Sequence, residues 1–184
     1  MGHNLFCGQV ASLLLEHIIT PWEQFRSWIF SPELNVNPPQ SKLQKSPRVA
    51  FSAALRDSGS GDIGPFTTST PLKYKKIFSN YGNCYNPSTG VFTAKVNGVY
   101  FFRFSMFNNV SPTPNSVVSL KKNDQLLVSV WDTSGTDSHD MGSNAVVIPL
   151  KVGDNVYVEL AANRLVFDDG MTYNTFSGFL LFPE

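Results

Sequence analysis

An all-β domain, a sandwich or a barrel, is what this sequence predicts, and three observations predict it. From position 48 onward, short apolar-rich runs recur with turn-forming residues between them. No stretch between those runs carries a helical period, which excludes the alternating strands and helices of βαβ units. Aromatic residues make up 13% of the 184 residues and charged residues only 15%, well below the usual quarter or so. A chain with so much to bury is not intrinsically disordered.

Taken in order, residues 1–30 form a leader unlike the rest. Within 8–20 (GQVASLLLEHIIT), Val10, Leu13, Leu14 and Ile18 follow a helical spacing that Pro21 stops. Trp22, Phe25, Trp28, Ile29 and Phe30 extend the apolar stripe. Three readings stay open: an amphipathic assembly segment, a remnant secretory signal, or a leader with no role. As a signal peptide it is poor, because no Lys or Arg precedes the run and Glu16 and His17 interrupt it. Residues 31–47 carry Pro32, Pro38, Pro39 and Pro47 in a polar stretch, which reads as an extended linker.

The globular domain is 48–184. Its strand candidates are 48–55 (RVAFSAAL), 74–80 (YKKIFSN), 90–96 (GVFTAKV), 98–107 (GVYFFRFSMF) and 116–122 (SVVSLKK). Next come 125–131 (QLLVSVW), 144–150 (NAVVIPL), 154–160 (DNVYVEL) and 172–182 (TYNTFSGFLLF). Turn material separates them at 57–64, 86–90, 97–98, 112–115, 123–124 and 153–154. Nine or ten strands result.

Two of these strands are apolar on both faces. Tyr100, Phe102, Phe104 and Met106 alternate with Val99, Phe101 and Phe107; Phe176, Leu180 and Phe182 alternate with Phe179 and Leu181. A sheet face turned to water should be polar. The second face therefore meets either another subunit or a loop of its own chain.

Lys plus Arg equals Asp plus Glu at 14 each, so bulk electrostatics give no reason to expect a nucleic-acid partner. No run of about 18 apolar residues exists to cross a membrane as a helix. Cys7 and Cys84 are too few for a disulfide scaffold. Cys7 is a candidate for an inter-chain disulfide, and Cys84 reads as a buried free thiol.

At this point the chain resembles a known family. Tyr74, Asn80, Tyr85, Phe92, Gly98, Tyr100, Phe102 and Phe104 follow the spacing aromatic-x5-Asn-x4-aromatic-x6-Phe-x5-Gly-x-Tyr-x-Phe-x-aromatic. That is the signature of the globular complement C1q domain, within the C1q and tumour necrosis factor superfamily. One departure is Tyr74, where the family has Phe; its hydroxyl needs a partner or an exposed tip. The other residues read as core, with Asn97–Gly98 as a tight-turn pair and Gly178 permitting close approach to a central strand. The resemblance covers 48–184 and implies a ten-stranded jelly-roll β-sandwich that assembles as a homotrimer, with higher oligomers conceivable. It also implies a secreted, extracellular recognition module for a receptor, glycan or microbial surface, as in the complement heads of innate immunity. Without Gly at every third position no collagen stalk can form, so the chain is most similar to stalkless cerebellin-like members.

Catalysis is not expected. The histidines are His3, His17 and His139, and no nucleophile elbow, phosphate-binding loop or zinc-protease motif is present. Asp137, His139 and Asp140 form either a metal cluster or an ordinary polar loop. Asp168 and Asp169 precede the last strand and offer oxygen ligands of the kind calcium takes. In relatives the matching loop lines a calcium site near the trimer apex; the plain alternative is a solvated turn. Asn109 opens a weak glycosylation sequon, followed directly by Pro112. Two functions follow: a secreted, non-catalytic trimeric binding module, or an intracellular protein that self-associates through such a domain.

Overall fold

Alternation of apolar and polar side chains over short runs builds strands wherever the sequence shows it, and all nine runs contain one. The computed structural model describes residues 47–109, 115–132 and 139–184. The leader, Cys7, nearly all of the linker and Asp137 lie outside these residues. Ser46–Glu184 forms one unit.

Its strands are β1 (Ala50–Ala54), β2 (Gly61–Ile63), β3 (Thr70–Pro71), β4 (Lys76–Tyr81), β5 (Tyr85–Asn86), β6 (Val91–Thr93) and β7 (Gly98–Asn108). They continue with β8 (Val117–Lys122), β9 (Gln125–Trp131), β10 (Asp140–Leu150), β11 (Asn155–Leu160), β12 (Val166–Asp168) and β13 (Thr175–Pro183). One sheet runs β10-β7-β13-β1-β4 and the other β5-β6-β11-β8-β9, with β3 added to β11. These two five-strand paths are the ten strands of the jelly roll. The short β2, β3 and β12 are extra, and β2 and β12 pair as a separate ribbon.

The core lies between the two sheets. Phe102, Phe104, Phe176 and Tyr100 come from one, and Phe92, Leu120, Val158 and Leu160 from the other; all are fully buried. Phe51 stacks on Tyr85 at 4.7 Å between ring centroids and meets Phe176 edge-on at 4.8 Å. Such offset and edge contacts are the favoured geometry for aromatic pairs.

Two local expectations are corrected. The alternation in 176–182 does not run through, because the β13–β7 register shifts between Leu180 and Phe182. Leu180 lies opposite Tyr100 and Phe182 opposite Val99, so the bulge turns Phe182 away from the core and leaves it 55% exposed. Gly98 is not a positive-φ turn residue either. It starts β7, and a Cβ there would meet the Phe182 carbonyl oxygen at 2.5 Å, so close backbone approach is what demands glycine.

Strand directions sort the loops. Because β1 and β7 each pair antiparallel with β13, the entry to β1 and the end of β13 share one end of the sandwich. The segments after Ala54 and after Asn108, and the one before Thr175, gather at the opposite end. Arg56, Asn109, Asp168 and Asp169 all belong to that loop end.

Candidate functional site

The eight signature residues are building material. Tyr74, Tyr85, Phe92, Tyr100, Phe102, Phe104 and Gly98 are buried, and Asn80 is half-buried. Asn80 clamps the 81–85 turn: its Nδ2 donates to the Tyr85 carbonyl at 2.8 Å and its Oδ1 accepts the Tyr85 N–H at 3.3 Å. The Tyr85 hydroxyl accepts from the Tyr74 N–H at 3.1 Å and donates to the Tyr74 carbonyl at 3.0 Å. The Tyr100 hydroxyl donates to the Val96 carbonyl at 2.8 Å. Cys84 is a buried free thiol, as read from the sequence, and burial pushes its pKa up.

Tyr74 breaks the expectation that its hydroxyl would find a partner or an exposed tip. The side chain is fully buried, and the hydroxyl has no protein partner among the described residues. Burial above all, then the nearby Tyr85 and Asp168, drive its pKa well up. An unpaired buried hydroxyl costs about 1–3 kcal/mol. Tyr74→Phe is therefore expected to raise stability by about 1 kcal/mol, read as a higher urea midpoint at an unchanged slope. A lower midpoint would mean the hydroxyl is satisfied.

The outer face of the five-stranded sheet is the first candidate surface. Registers align Val147, Phe101, Phe179, Ala50 and Tyr81 in one row across all five strands. Beside it lies a second row of Pro149, Val99 and Phe182. The Phe101 and Phe179 rings are 5.3 Å apart. Of the thirteen exposed large hydrophobic residues described, eight sit on this sheet: Ile77, Phe78 and Tyr81 on β4, Met141 and Val147 on β10, and Phe179, Leu181 and Phe182 on β13. Only Leu126 and Trp131 lie on the other. Nothing among the described residues covers the patch. A contiguous apolar patch of this kind marks an interaction surface.

Two residues further along, four of the five residues in the next outward row are polar: Arg103, Ser177, Ser52 and Ser79, beside Ala145. Ser52 and Ser177 share a 2.8 Å hydrogen bond, and Arg103 donates to Ser143 Oγ at 3.2 Å.

The loop end is the second candidate surface. Asp168 does not sit in a solvated turn. It is fully buried at the end of β12, with Oδ1 accepting the N–H groups of Asp169 at 3.0 Å and Tyr173 at 2.9 Å. Its Oδ2 is buried without a protein partner among the described residues. Burial raises its pKa above the usual carboxylate value, opposed by those N–H donors. Local spacing carries no signal for this, because the burial comes from packing at the loop end, where Asn174 staples the segment to Phe167 and Phe107. Asp169 is half-buried and accepts the Met171 N–H at 2.7 Å. Among the described residues no three His, Cys, Asp or Glu side chains are grouped to hold a metal. His139 is exposed, with its ring 6.4 Å from that of Phe107, and Asn109 is half-buried with the rest of its sequon outside the described residues. No helix among the described residues is long and apolar enough to cross a membrane.

Comparison with known proteins agrees with this architecture. The chain is 31% identical over 137 residues to zebrafish (Danio rerio) Caprin-2, covering 74% of this chain and 14% of that protein. It is also 31% identical over 117 residues to mouse complement C1q tumor necrosis factor-related protein 2, covering 62% and 38% respectively. It thus spans well under half the length of these relatives. Among solved structures, the globular domain of zebrafish complement 1qA aligns with a TM-score of 0.58 at 24% identity, over 74% of this chain and 99% of that one. Eiger TNF from S. frugiperda aligns at 0.60 and 16% identity, over 75% and 95%, which shows the shared fold. Residues 50–181 match the family model described as the C1q domain, and the chain belongs to that family.

Proposed function

We propose that this domain is a non-catalytic, extracellular recognition module that works as a homotrimer. The outer face of its five-stranded sheet joins the subunits, and the loop end meets a receptor, a glycan or a microbial surface. One observation carries the reading: the apolar row Val147–Phe101–Phe179–Ala50–Tyr81 runs across every strand of that sheet and is partly or largely exposed among the described residues. Burying it between subunits removes apolar area from water at about 25 cal/mol per Å². Sedimentation equilibrium of the full chain at micromolar concentration should return three chain masses. A monodisperse monomer overturns the assembly.

The exposed apolar face supports a second reading as well, an intracellular protein that self-associates through this domain. Expression from the natural transcript separates the two: protein in the medium supports the first, retention in the cell the second.

A calcium role for Asp168 and Asp169 stands as a proposal on one ground. Asp168 Oδ2 is a carboxyl oxygen held out of water with no hydrogen-bond partner among the described residues. A hard divalent ion with oxygen ligands would compensate it. The linkage has a definite sign. A carboxyl whose pKa is raised on folding contributes its stability below its unfolded value, here near 3.8, and loses it as pH rises through the folded value. In chelator, the wild type should therefore lose stability relative to Asp168→Asn as pH climbs from that value toward neutrality. Calcium should restore the wild type at neutral pH and leave Asp168→Asn unmoved. Equal midpoints with calcium and with chelator would remove calcium and leave only the pH dependence.

A further inference from the structure

Beyond β1 the chain leaves its sheet, adds β3 to the other one and returns at β4, and this excursion lines a half-open cavity of about 410 Å³ at the loop end. That is within the range of small-ligand sites, roughly 300–1,000 Å³. Its apolar wall is Leu55, Ile63, Phe66 and Leu72, with Leu55 and Leu72 buried in the core and Phe66 37% exposed. The frame is pinned: the Leu72 N–H donates to the Val158 carbonyl at 2.8 Å, and the Lys75 N–H donates to that of Leu55 at 3.3 Å.

Three cations line the same cavity, Arg56, Lys73 and Lys75, against one carboxylate, Asp57. In a chain with no net charge this is a local excess. The ion pairs among the described residues are Lys121 with Glu159 at 2.7 Å and Lys122 with Asp154 at 3.0 Å, and neither involves these three. Arg56 spends one guanidinium nitrogen on the Asp62 carbonyl at 3.1 Å, while its Nε is buried with no protein partner among the described residues. A guanidinium and two ammonium groups lining one cavity favour an anionic head through charge-assisted hydrogen bonds.

We propose that this cavity binds a small amphiphilic anion, one carboxylate, sulfate or phosphate head on an apolar body. The head pairs with the cationic side chains of Arg56, Lys73 and Lys75, and the body lies against Leu55, Ile63, Phe66 and Leu72. The site deepens the recognition reading by naming a ligand class, but it is built within one protomer. A chain that sediments as a monomer yet binds the probe would overturn the assembly and leave the cavity standing.

The test uses the full chain and naphthalene-2-sulfonate in equilibrium dialysis at 0.1 M salt. Saturable binding at one per chain is expected, with Kd on the order of 1 mM or tighter. Neutral naphthalene-2-sulfonamide should bind about 10-fold more weakly or worse, because it lacks the charge-assisted bond. Arg56→Gln should weaken the sulfonate by about the same factor. Lys73→Gln/Lys75→Gln alters two exposed side chains, so it should weaken binding at an unchanged thermal midpoint and guards against misfolding of the Arg56 variant. Competition by a blocked Phe–Glu dipeptide assigns the anion to a partner protein's side chain; sulfonate binding without that competition assigns it to a free small molecule. Equal binding of sulfonate and sulfonamide, or unchanged binding in both variants, overturns the proposal.

Discussion

Replacing Gly178 by alanine is expected to destabilise the domain by about 3 kcal/mol, the upper part of the usual range for overpacking. The added Cβ would meet Phe102 Cδ1 at 2.4 Å and Cε1 at 2.5 Å, and Phe51 Cε1 at 2.9 Å. Neither ring can withdraw. Phe102 is fully buried and packed on Phe92 at 5.1 Å and Tyr100 at 6.1 Å, and Phe51 is held between Tyr85 and Phe176. Close-packed interiors absorb a methyl group only by shifting neighbours off their rotamers. Urea unfolding is the measurement. Ser177→Ala, one residue away on the outward face, should cost well under half as much, because it removes only the hydroxyl bond to Ser52. The double variant Gly178→Ala/Phe102→Leu should recover part of the loss, since the two sites are in direct contact and their effects are not additive. A Gly178→Ala variant within about 1 kcal/mol of the wild type would show that the ring stack yields more than close packing allows.

Phe179→Glu is expected to abolish self-association while leaving the protomer folded. In the single chain Phe179 is 41% exposed in the middle of the apolar row, so a carboxylate there stays hydrated and costs the fold little. Between subunits the same carboxylate would lose its water without gaining a partner, at several kcal/mol per copy. Threefold repetition multiplies that cost, so association should weaken by at least about 100-fold, which a penalty of ~3 kcal/mol already produces. Sedimentation should then show monomers, with an unchanged far-ultraviolet circular dichroism spectrum. Leu126→Glu is the matched control, since Leu126 is 57% exposed on the opposite sheet. If Leu126→Glu dissociates the protein and Phe179→Glu does not, the subunits join through the wrong sheet for this account.

Much of the fold was legible because a strand carries its burial pattern in a period of two. Tyr100, Phe102, Phe104 and Met106 alternate with Val99, Phe101 and Phe107, and that pattern alone places the first set in the core and exposes an unusually apolar second face. The eight-residue signature is legible for the same reason, being core and turn residues at spacings set by the strands. The family and the exposed apolar face were thus within reach of local pattern.

What tertiary structure decided depends on residues far apart in sequence. The alternation in 176–182 gave no warning of the bulge at Leu181, because a bulge is a property of two paired strands and not of one. Gly98 reads as a turn glycine, yet its reason is the Phe182 carbonyl 84 positions on. Asp168–Asp169–Gly170 left a calcium site and a solvated turn both open in the sequence, while packing at the loop end removes Asp168 from water altogether. The anion cavity is the extreme case. Arg56, Lys73 and Lys75 are unremarkable singly, and only the long excursion between β1 and β4 brings them around one apolar hollow. Local propensity and period act over a few residues, so they specify strands and their faces. Desolvation and the meeting of charges depend on where the closed chain puts distant segments, and that is settled only by the fold.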